Sequence, residues 1–232
     1  MPKLILRSVS IALLCLPVFA SAAALTETEA RWLQAGASVL AYAKQQKLPI
    51  DIIVQPQPQP GAVPLAMGFD GGRCKLVLTM RGNPAAEDVL QALPAPQRAL
   101  MIEAMTAHEV AHCWRYAQGA WHSVPSGFQQ RTPDAALPPE IQKLSQELRE
   151  TRREEGYADL VALAWMQAAH PGQYGQVYAW LQQVRAAQPD SHVSHDTGAW
   201  LALAADGAVF PAGATPFEQA RTLWKQGLAD AE

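Results

Sequence analysis

The sequence predicts a mainly helical α+β domain. Three observations support this fold class: a helical apolar pattern comes first, short β-rich segments follow between residues 49 and 80, and long helical segments fill the second half. The chain has 232 residues, 49% of them hydrophobic, which is enough for one core. Because no repeat or linker interrupts residues 23–232, we predict that they form a single domain.

The first 22 residues have the pattern of a secretory signal peptide. Lys3 and Arg7 form a positively charged start, residues 8–19 are apolar, and residues 20–22 match a small-residue cleavage site. The apolar run is shorter than the roughly 20 residues of a membrane-spanning helix, so we expect cleavage rather than a retained anchor. The sequence therefore predicts a secreted or periplasmic protein with no transmembrane anchor after signal cleavage.

A helix is predicted at the start of the mature chain. Thr26 and Glu29 stand at the positions of a capping box, just before residues 30–46. The apolar residues of this segment share one helical face: Trp32, Ala35, Val39 and Ala43. Gly36 interrupts the pattern and weakens the helix locally.

Three segments rich in apolar and β-branched residues are predicted strands, at 49–54, 65–69 and 74–80. A Pro-rich loop separates the first two, and Gly71-Gly72 predicts a turn before the third. The third strand has two interpretations. It is either an exposed edge that lines a substrate cleft and binds a peptide backbone, or an interior strand of the sheet.

Helices are predicted for most of the remaining chain. A short helical segment opens at Asn83-Pro84 and breaks at residues 94–96. Longer helices follow at 97–118, 140–169 and 173–187, and a final helix starts at Pro216.

The predicted helix 97–118 carries the motif His108-Glu109-Val110-Ala111-His112, or HExxH. The four-residue spacing puts both imidazoles on one helical face, from which they can bind one zinc ion. Glu109 projects beside them and can take the proton from a zinc-bound water. The alternative is a solvated helix with two surface histidines, which the largely apolar flanking sequence disfavours.

A third ligand is expected from the next predicted helix. Glu155 and Asp159 are again four residues apart, at the border between a charged stretch and an apolar one. Glu155 can complete the zinc site, with Glu154 as the second choice. Asp159 can accept the N–H of a ligand histidine and so fix its tautomer.

These motifs together resemble a known peptidase group. HExxH followed by ExxxD is the pattern of the gluzincin zinc peptidases, and residues 155–159 are most similar to the Glu-x-x-Ala-Asp form of the HtpX and CAAX-prenyl-protease family. The resemblance spans residues 100–165 and implies a zincin-like fold, with a small sheet before the HExxH helix and a helical second half. It implies one Zn²⁺ per chain, bound by His108, His112 and Glu155, with Glu109 as general base. The chain lacks the membrane helices of HtpX and would be a soluble minimal relative.

Gluzincins often keep a His, Tyr or Arg after the ligand helix to stabilise the developing oxyanion. His195 is the first choice for this role and His192 the second, with a merely solvated loop histidine as the alternative.

Two cysteines remain after signal cleavage, Cys74 and Cys113. An even count in an oxidising compartment favours a disulfide between them, and two buried thiols are the alternative. Because Cys113 directly follows His112, the bridge would tie the zinc helix to the third predicted strand.

The predicted function is that of a zinc peptidase, and specifically of an endopeptidase. A formal charge of −3 without any Lys/Arg cluster argues against nucleic-acid binding. We expect a peptide or protein substrate, and the sequence leaves its identity and the oligomeric state open. The alternative is a zinc-bound binding or structural protein on a peptidase scaffold, which would not need a carboxylate at Glu109.

Overall fold

A computed structural model describes residues 24–55, 57, 62–91, 93–130, 135–187 and 194–229. The predicted signal peptide, residues 1–22, and His192 lie outside this part of the chain. The described residues form an α+β structure, as predicted, with eight α-helices and one three-stranded sheet. No described helix combines the length and the apolar character needed to cross a membrane.

The helices and strands follow the predicted order. They are α1 (Glu27–Ala35), α2 (Ala37–Gln45), β1 (Ile50–Val54), β2 (Leu65–Asp70), β3 (Arg73–Leu78), α3 (Ala85–Gln91), α4 (Ala95–Ala117), α5 (Pro139–Ala169), α6 (Tyr174–Ala186), α7 (Gly198–Leu203) and α8 (Pro216–Gly227). Helix α7 has no counterpart in the sequence analysis.

The helix predicted over 30–46 is divided into α1 and α2 at Gly36. The capping box at the start of α1 is present, as predicted. A Cβ atom at Gly36 would come within 2.5 Å of Thr106 Oγ1 in α4. The absence of a side chain at this position therefore lets the junction of α1 and α2 pack closely on α4.

The sheet has the order β1-β3-β2, so β3 is the central strand. β1 runs parallel to β3, and β2 runs antiparallel to it. Of the two interpretations of the third predicted strand, the interior one is correct. The edge strand that packs against α4 is β2.

The second half of α5 lies in the centre of the helical part, where α4, α6, α7 and α8 contact it. A Cβ atom at Gly156 would lie 2.3 Å from Cε3 of Trp200, so the indole ring packs directly on the α5 backbone. The hydroxyl of Tyr157 donates a hydrogen bond to the backbone oxygen of Phe217 at 3.0 Å. These contacts fix the stretch of α5 that carries Glu155.

Candidate metal centre

Two histidines of α4 and one glutamate of α5 bring three potential metal-ligand atoms together. The Nε2 atoms of His108 and His112 are 3.1 Å apart. Oε2 of Glu155 is 3.3 Å from His108 Nε2, and its Oε1 is 3.4 Å from His112 Nε2. One ligand atom from each side chain lies within 4.8 Å of the other two. The fold thus joins the three residues that the sequence analysis selected as metal ligands.

The directions of α4 and α5 explain this convergence. Later residues of α4 contact earlier residues of α5, in the pairs His108 with Asp159, His112 with Glu155, and Arg115 with Glu154. The two helices are therefore antiparallel. Residues four apart lie on the same face of a helix. His108 and His112 therefore share one face of α4, and Glu155 and Asp159 share the face of α5 opposite them.

Asp159 orients the first histidine. Its Oδ1 is 2.9 Å from His108 Nδ1, and its side chain is fully buried. An N–H at Nδ1 donating to this carboxylate leaves Nε2 as the nitrogen with a free electron pair. Thr197 Oγ1 also donates to Asp159, at 2.6 Å. Asp159 therefore lies beside the candidate ligand His108, as predicted, and outside the triad of candidate ligand residues.

Arg185, near the end of α6, belongs to the site and was not singled out from the sequence. Its guanidinium donates from Nε and Nη2 to Asp159, at 2.8 and 2.6 Å, and from Nη2 to Glu155 at 3.1 Å. Burial favours the neutral form of Asp159, but Arg185 and His108 outweigh it and hold the pKa of this carboxyl well below its usual range. A basic residue in the last turn of a helix gives no sequence signal for such a role.

The carboxylates make the site favourable for positive charge. Burial disfavours the charged imidazolium of His108, but Glu155 and Asp159 outweigh this effect and raise its pKa to about 10. The formal charge of the site is −2 when its three carboxylates are ionised. The carboxylates belong to Glu109, Glu155 and Asp159, and the one positive charge is that of Arg185. This net negative charge balances one divalent cation.

Glu109 lines the same cavity and is held by the edge strand. Its carboxylate accepts a hydrogen bond from the backbone N–H of Met67 in β2. Burial raises the pKa of Glu109 above its ordinary value, while the nearby His108 and His112 act in the opposite direction. A carboxylate with a raised pKa is a better proton acceptor than a fully solvated one.

His195 reaches the site from the segment before α7. Its Nε2 is 3.7 Å from Glu155 Oε2, and its side chain is partly exposed in the cavity. The first choice for oxyanion stabilisation, His195, therefore lies beside the candidate ligand Glu155, while the second choice, His192, falls outside the described residues.

Glu154 is occupied elsewhere and is not one of the converging ligands. Its carboxylate accepts two hydrogen bonds from Arg115, at 2.9 and 2.7 Å, and one from the backbone N–H of His122 at 2.8 Å. Arg115 also donates to the backbone oxygen of Ser123. This buried pair anchors the segment after α4 and holds Trp121 edge-on to His112, with ring centroids 5.6 Å apart.

The candidate ligands line a cavity of about 490 Å³ that runs along α4 and α5. On the side of His108 towards the start of α4 the lining is mostly apolar, and we call this part the apolar chamber; its walls include Trp32, Met105, Val177, Trp180, Leu181 and Val184. The opposite end is formed by Trp121, Thr151 and Glu154. Residues 63–67, which include the first part of β2, form another wall.

Cys74 of β3 and Cys113 of α4 form the predicted disulfide. Both residues are fully buried, and their Cα atoms are 5.6 Å apart. The bridge fixes α4 to the central strand one residue after His112. Such a cross-link is typical of proteins that fold in an oxidising compartment.

The donor set fits a divalent transition metal. Two imidazole nitrogens facing one another at 3.1 Å can share at most one hydrogen, whereas both can bind one cation. Two nitrogens and one carboxylate oxygen are one of the usual ligand sets of Zn²⁺ at a site with an open position.

No protein-family model matches the chain, and neither a curated protein nor a solved structure is significantly similar to it.

Proposed function

We propose that this protein is a zinc-dependent peptidase, with one Zn²⁺ bound by His108, His112 and Glu155. The observation that carries this proposal is the position of Glu109 beside the three ligand side chains, at the wall formed by β2. A bound zinc ion would polarise the scissile carbonyl and lower the pKa of a water molecule. The motif's resemblance to gluzincins of the HtpX and CAAX-prenyl-protease type supports the same assignment.

Glu109 is the proposed general base. It accepts a proton from the attacking water and later delivers this proton to the leaving amine. Its raised pKa supports this role, because a carboxyl that must gain and lose a proton works best when its pKa approaches the working pH.

The outer edge of β2, which pairs with no further strand among the described residues, is the proposed binding site for the substrate backbone. β2 is the edge strand on the cavity side, and its outward-facing backbone groups, other than the Met67 N–H that donates to Glu109, can pair with an extended peptide. Met67 contacts Glu109, and Phe69 stacks on Tyr116 with ring centroids 4.2 Å apart, so β2 runs in the same direction as α4. An antiparallel peptide would then have its amino-terminal part near Trp121 and its carboxy-terminal part near the apolar chamber.

The apolar chamber supports a substrate preference. It lies beyond His108, on the side where an antiparallel peptide continues after the scissile bond. We therefore propose that the substrate is a peptide or unfolded protein, cleaved on the amino side of a large apolar residue. Charged side chains at that position would lose their hydration without gaining a partner in the chamber.

His195 is the proposed donor to the oxygen of the scissile carbonyl as negative charge develops there. We further propose that the protein acts in the periplasm or outside the cell. The buried Cys74–Cys113 disulfide supports this location, because cytosolic thiols are normally kept reduced.

Metal content is the first test. The protein purified without added metal, and the His112→Ala variant, are analysed by inductively coupled plasma mass spectrometry. We expect one zinc per chain in the wild type and a loss of zinc in the variant. Absence of metal from the wild type even after zinc addition would refute the proposed function.

The second test separates a peptidase from a zinc-bound binding protein. Glu109→Gln should keep zinc and lose at least a hundredfold in the rate of hydrolysis of reduced, carboxymethylated casein and serum albumin. Glu147→Gln, an exposed glutamate of α5, is the matched control and should behave as the wild type. Hydrolysis that persists in Glu109→Gln would contradict the mechanism, and a wild type that binds zinc without hydrolysis would favour the binding protein.

A further inference from the structure

The first half of α5 carries an apolar stripe that stays exposed within the part of the chain that the structure describes. The buried residues of this 31-residue helix begin only at Arg153. Ile141 and Leu144 are 46% and 49% exposed, and Leu148 is partly exposed. We call these three side chains the α5 ridge.

The ridge lies on the same helical face as the metal centre. Residues 141, 144, 148, 151 and 155 follow one another at alternating spacings of three and four. At about 100° per residue, all five lie within about 40° of one line along the helix. Thr151 and Glu155 line the cavity, so the ridge continues the cavity wall towards solvent.

The length of the ridge matches a short stretch of extended peptide. At about 1.5 Å per residue, Leu148 lies about 10 Å and Ile141 about 21 Å along the helix from Glu155. An extended peptide covers these distances in about three to six residues. The ridge extends from the Trp121 end of the cavity, because α5 runs antiparallel to α4 and Glu154 already pairs with Arg115 near the end of α4.

We propose that the α5 ridge is a second contact surface for unfolded polypeptide substrates. It binds apolar side chains about three to six residues on the amino-terminal side of the scissile bond. This inference rests on the proposed peptidase function and on antiparallel binding of the substrate along β2. The contact would become effectively intramolecular once the cavity holds the peptide, so a small apolar surface suffices.

A second copy of the chain is a poorer occupant. Three aliphatic side chains fall far short of the roughly 1,200 Å² that a stable protein–protein interface buries. Lys143 and Glu147 pair with one another along this part of α5, with 3.6 Å between Nζ and Oε1, and leave the surface without a strong charge of either sign. Apolar contact with a segment anchored in the cavity is therefore the better match.

The test compares three peptides derived from one mapped cleavage site in carboxymethylated casein or serum albumin. The first has six residues centred on the site, the second is extended by eight residues on the amino side, and the third by eight on the carboxyl side. The variant Ile141→Gln/Leu144→Gln removes the apolar surface with residues that favour helix. The control is Gln146→Leu, which adds an apolar residue on the opposite face of α5.

For the ridge variant we expect kcat/KM on the amino-extended peptide to fall about five- to twentyfold, mainly through KM. The six-residue and carboxyl-extended peptides should be cleaved as by the wild type, and the control should match the wild type on all three. Three kinetic results for the ridge variant would overturn the ridge proposal alone: kcat/KM falls equally on all peptides, it does not fall, or it falls only on the carboxyl-extended peptide. A sedimentation coefficient of the variant that differs from that of the wild type would also overturn it. A wild type that hydrolyses neither unfolded protein would instead refute the peptidase function on which the ridge depends.

Discussion

Arg185 donates two hydrogen bonds to Asp159, from Nε to Oδ2 at 2.8 Å and from Nη2 to Oδ1 at 2.6 Å. The same Nη2 donates to Glu155 at 3.1 Å. The guanidinium of Arg185 thus balances the charge of Asp159, which orients His108. It also donates a hydrogen bond to Glu155, which is proposed to bind the metal. Both carboxylates are buried, so their negative charges would be costly without this partner.

Replacement of Arg185 by alanine should weaken metal binding. Asp159 would keep its contact with His108 but lose its buried counterion, and Glu155 would lose one of its hydrogen-bond donors. Loss of such an outer partner typically lowers metal affinity about 10- to 100-fold. Zinc affinity measured by competition with a chromophoric chelator checks this expectation.

Two further variants sharpen the Arg185 measurement. Arg185→Lys keeps the charge but lacks the two-point geometry, so its zinc affinity should fall between those of the wild type and the alanine variant. Gln183→Ala changes an exposed residue of the same helix and should bind zinc normally. Wild-type affinity in Arg185→Ala would show that the guanidinium does not support the site.

Gly156→Ala should destabilise the protein although alanine favours helix. The new Cβ atom would lie 2.3 Å from Trp200, a fully buried residue that cannot move aside freely. Overpacking of this kind typically costs about 1–3 kcal/mol. Gly175→Ala in α6 is the control, because nothing lies within 4 Å of its Cβ position. Thermal unfolding should show a lower Tm for the first variant only, and equal Tm values would contradict the packing argument.

The sequence predicted the centre of the site because helix periodicity alone determines which side chains share a face. His108 and His112 were selected by their spacing and by the apolar sequence around them. Glu155 was selected by its spacing from Asp159 at the border between a charged and an apolar stretch. Glu154 was harder to exclude as a ligand, because the side chains of neighbouring helical residues point in directions only about 100° apart. Its role depends on Arg115, which is 39 residues away in the sequence. The structure assigns Glu154 to that buried ion pair.

Long-range pairing explains what the sequence left open or missed. Whether β3 is an edge or an interior strand depends on β1, which pairs directly with β3 in parallel although β2 lies between them in the sequence. No local pattern carries that information. Arg185 was missed for the same reason, because it reaches Asp159 only once α6 packs against α5.

The pair Glu29–Arg81 predicts a pH-dependent part of the stability. The Glu29 side chain is fully buried, and Arg81 donates to it from Nε and Nη2 at 2.7 and 3.0 Å. The hydrogen bond from Arg81 is the main cause that lowers the pKa of Glu29 in the folded protein, against the opposing effect of burial. A carboxyl with a lower pKa when folded stabilises the protein above its unfolded pKa, and this stabilisation disappears as the pH falls through the folded value.

Glu29→Gln should therefore lower the free energy of unfolding at pH 7 by about 1–3 kcal/mol, since Arg81 loses its charged partner. The difference between variant and wild type should shrink as the pH falls below about 4, where the unfolded carboxyl becomes protonated. Urea unfolding at pH 7 and pH 3.5 measures both values. A difference that stays constant over this range would contradict the assignment to charge.

His195→Ala distinguishes a role in catalysis from one in metal binding. His195 Nε2 is 3.7 Å from Glu155 Oε2, but His195 is not among the three converging ligands. If it donates to the carbonyl oxygen only as charge develops, its loss should lower kcat about 10- to 1,000-fold with little change in KM. The zinc content should stay at one per chain.

His170→Gln is the matched control for His195. His170 is a histidine of similar exposure at the end of α5, beyond the cavity lining, and glutamine keeps a hydrogen-bond donor for its partner Glu103. Its kcat should equal that of the wild type. If His195→Ala lost zinc along with activity, the histidine would act through the metal site. If it kept both, the oxyanion would have to be stabilised by another group, and Arg185, which also lines the cavity, would be the next residue to test.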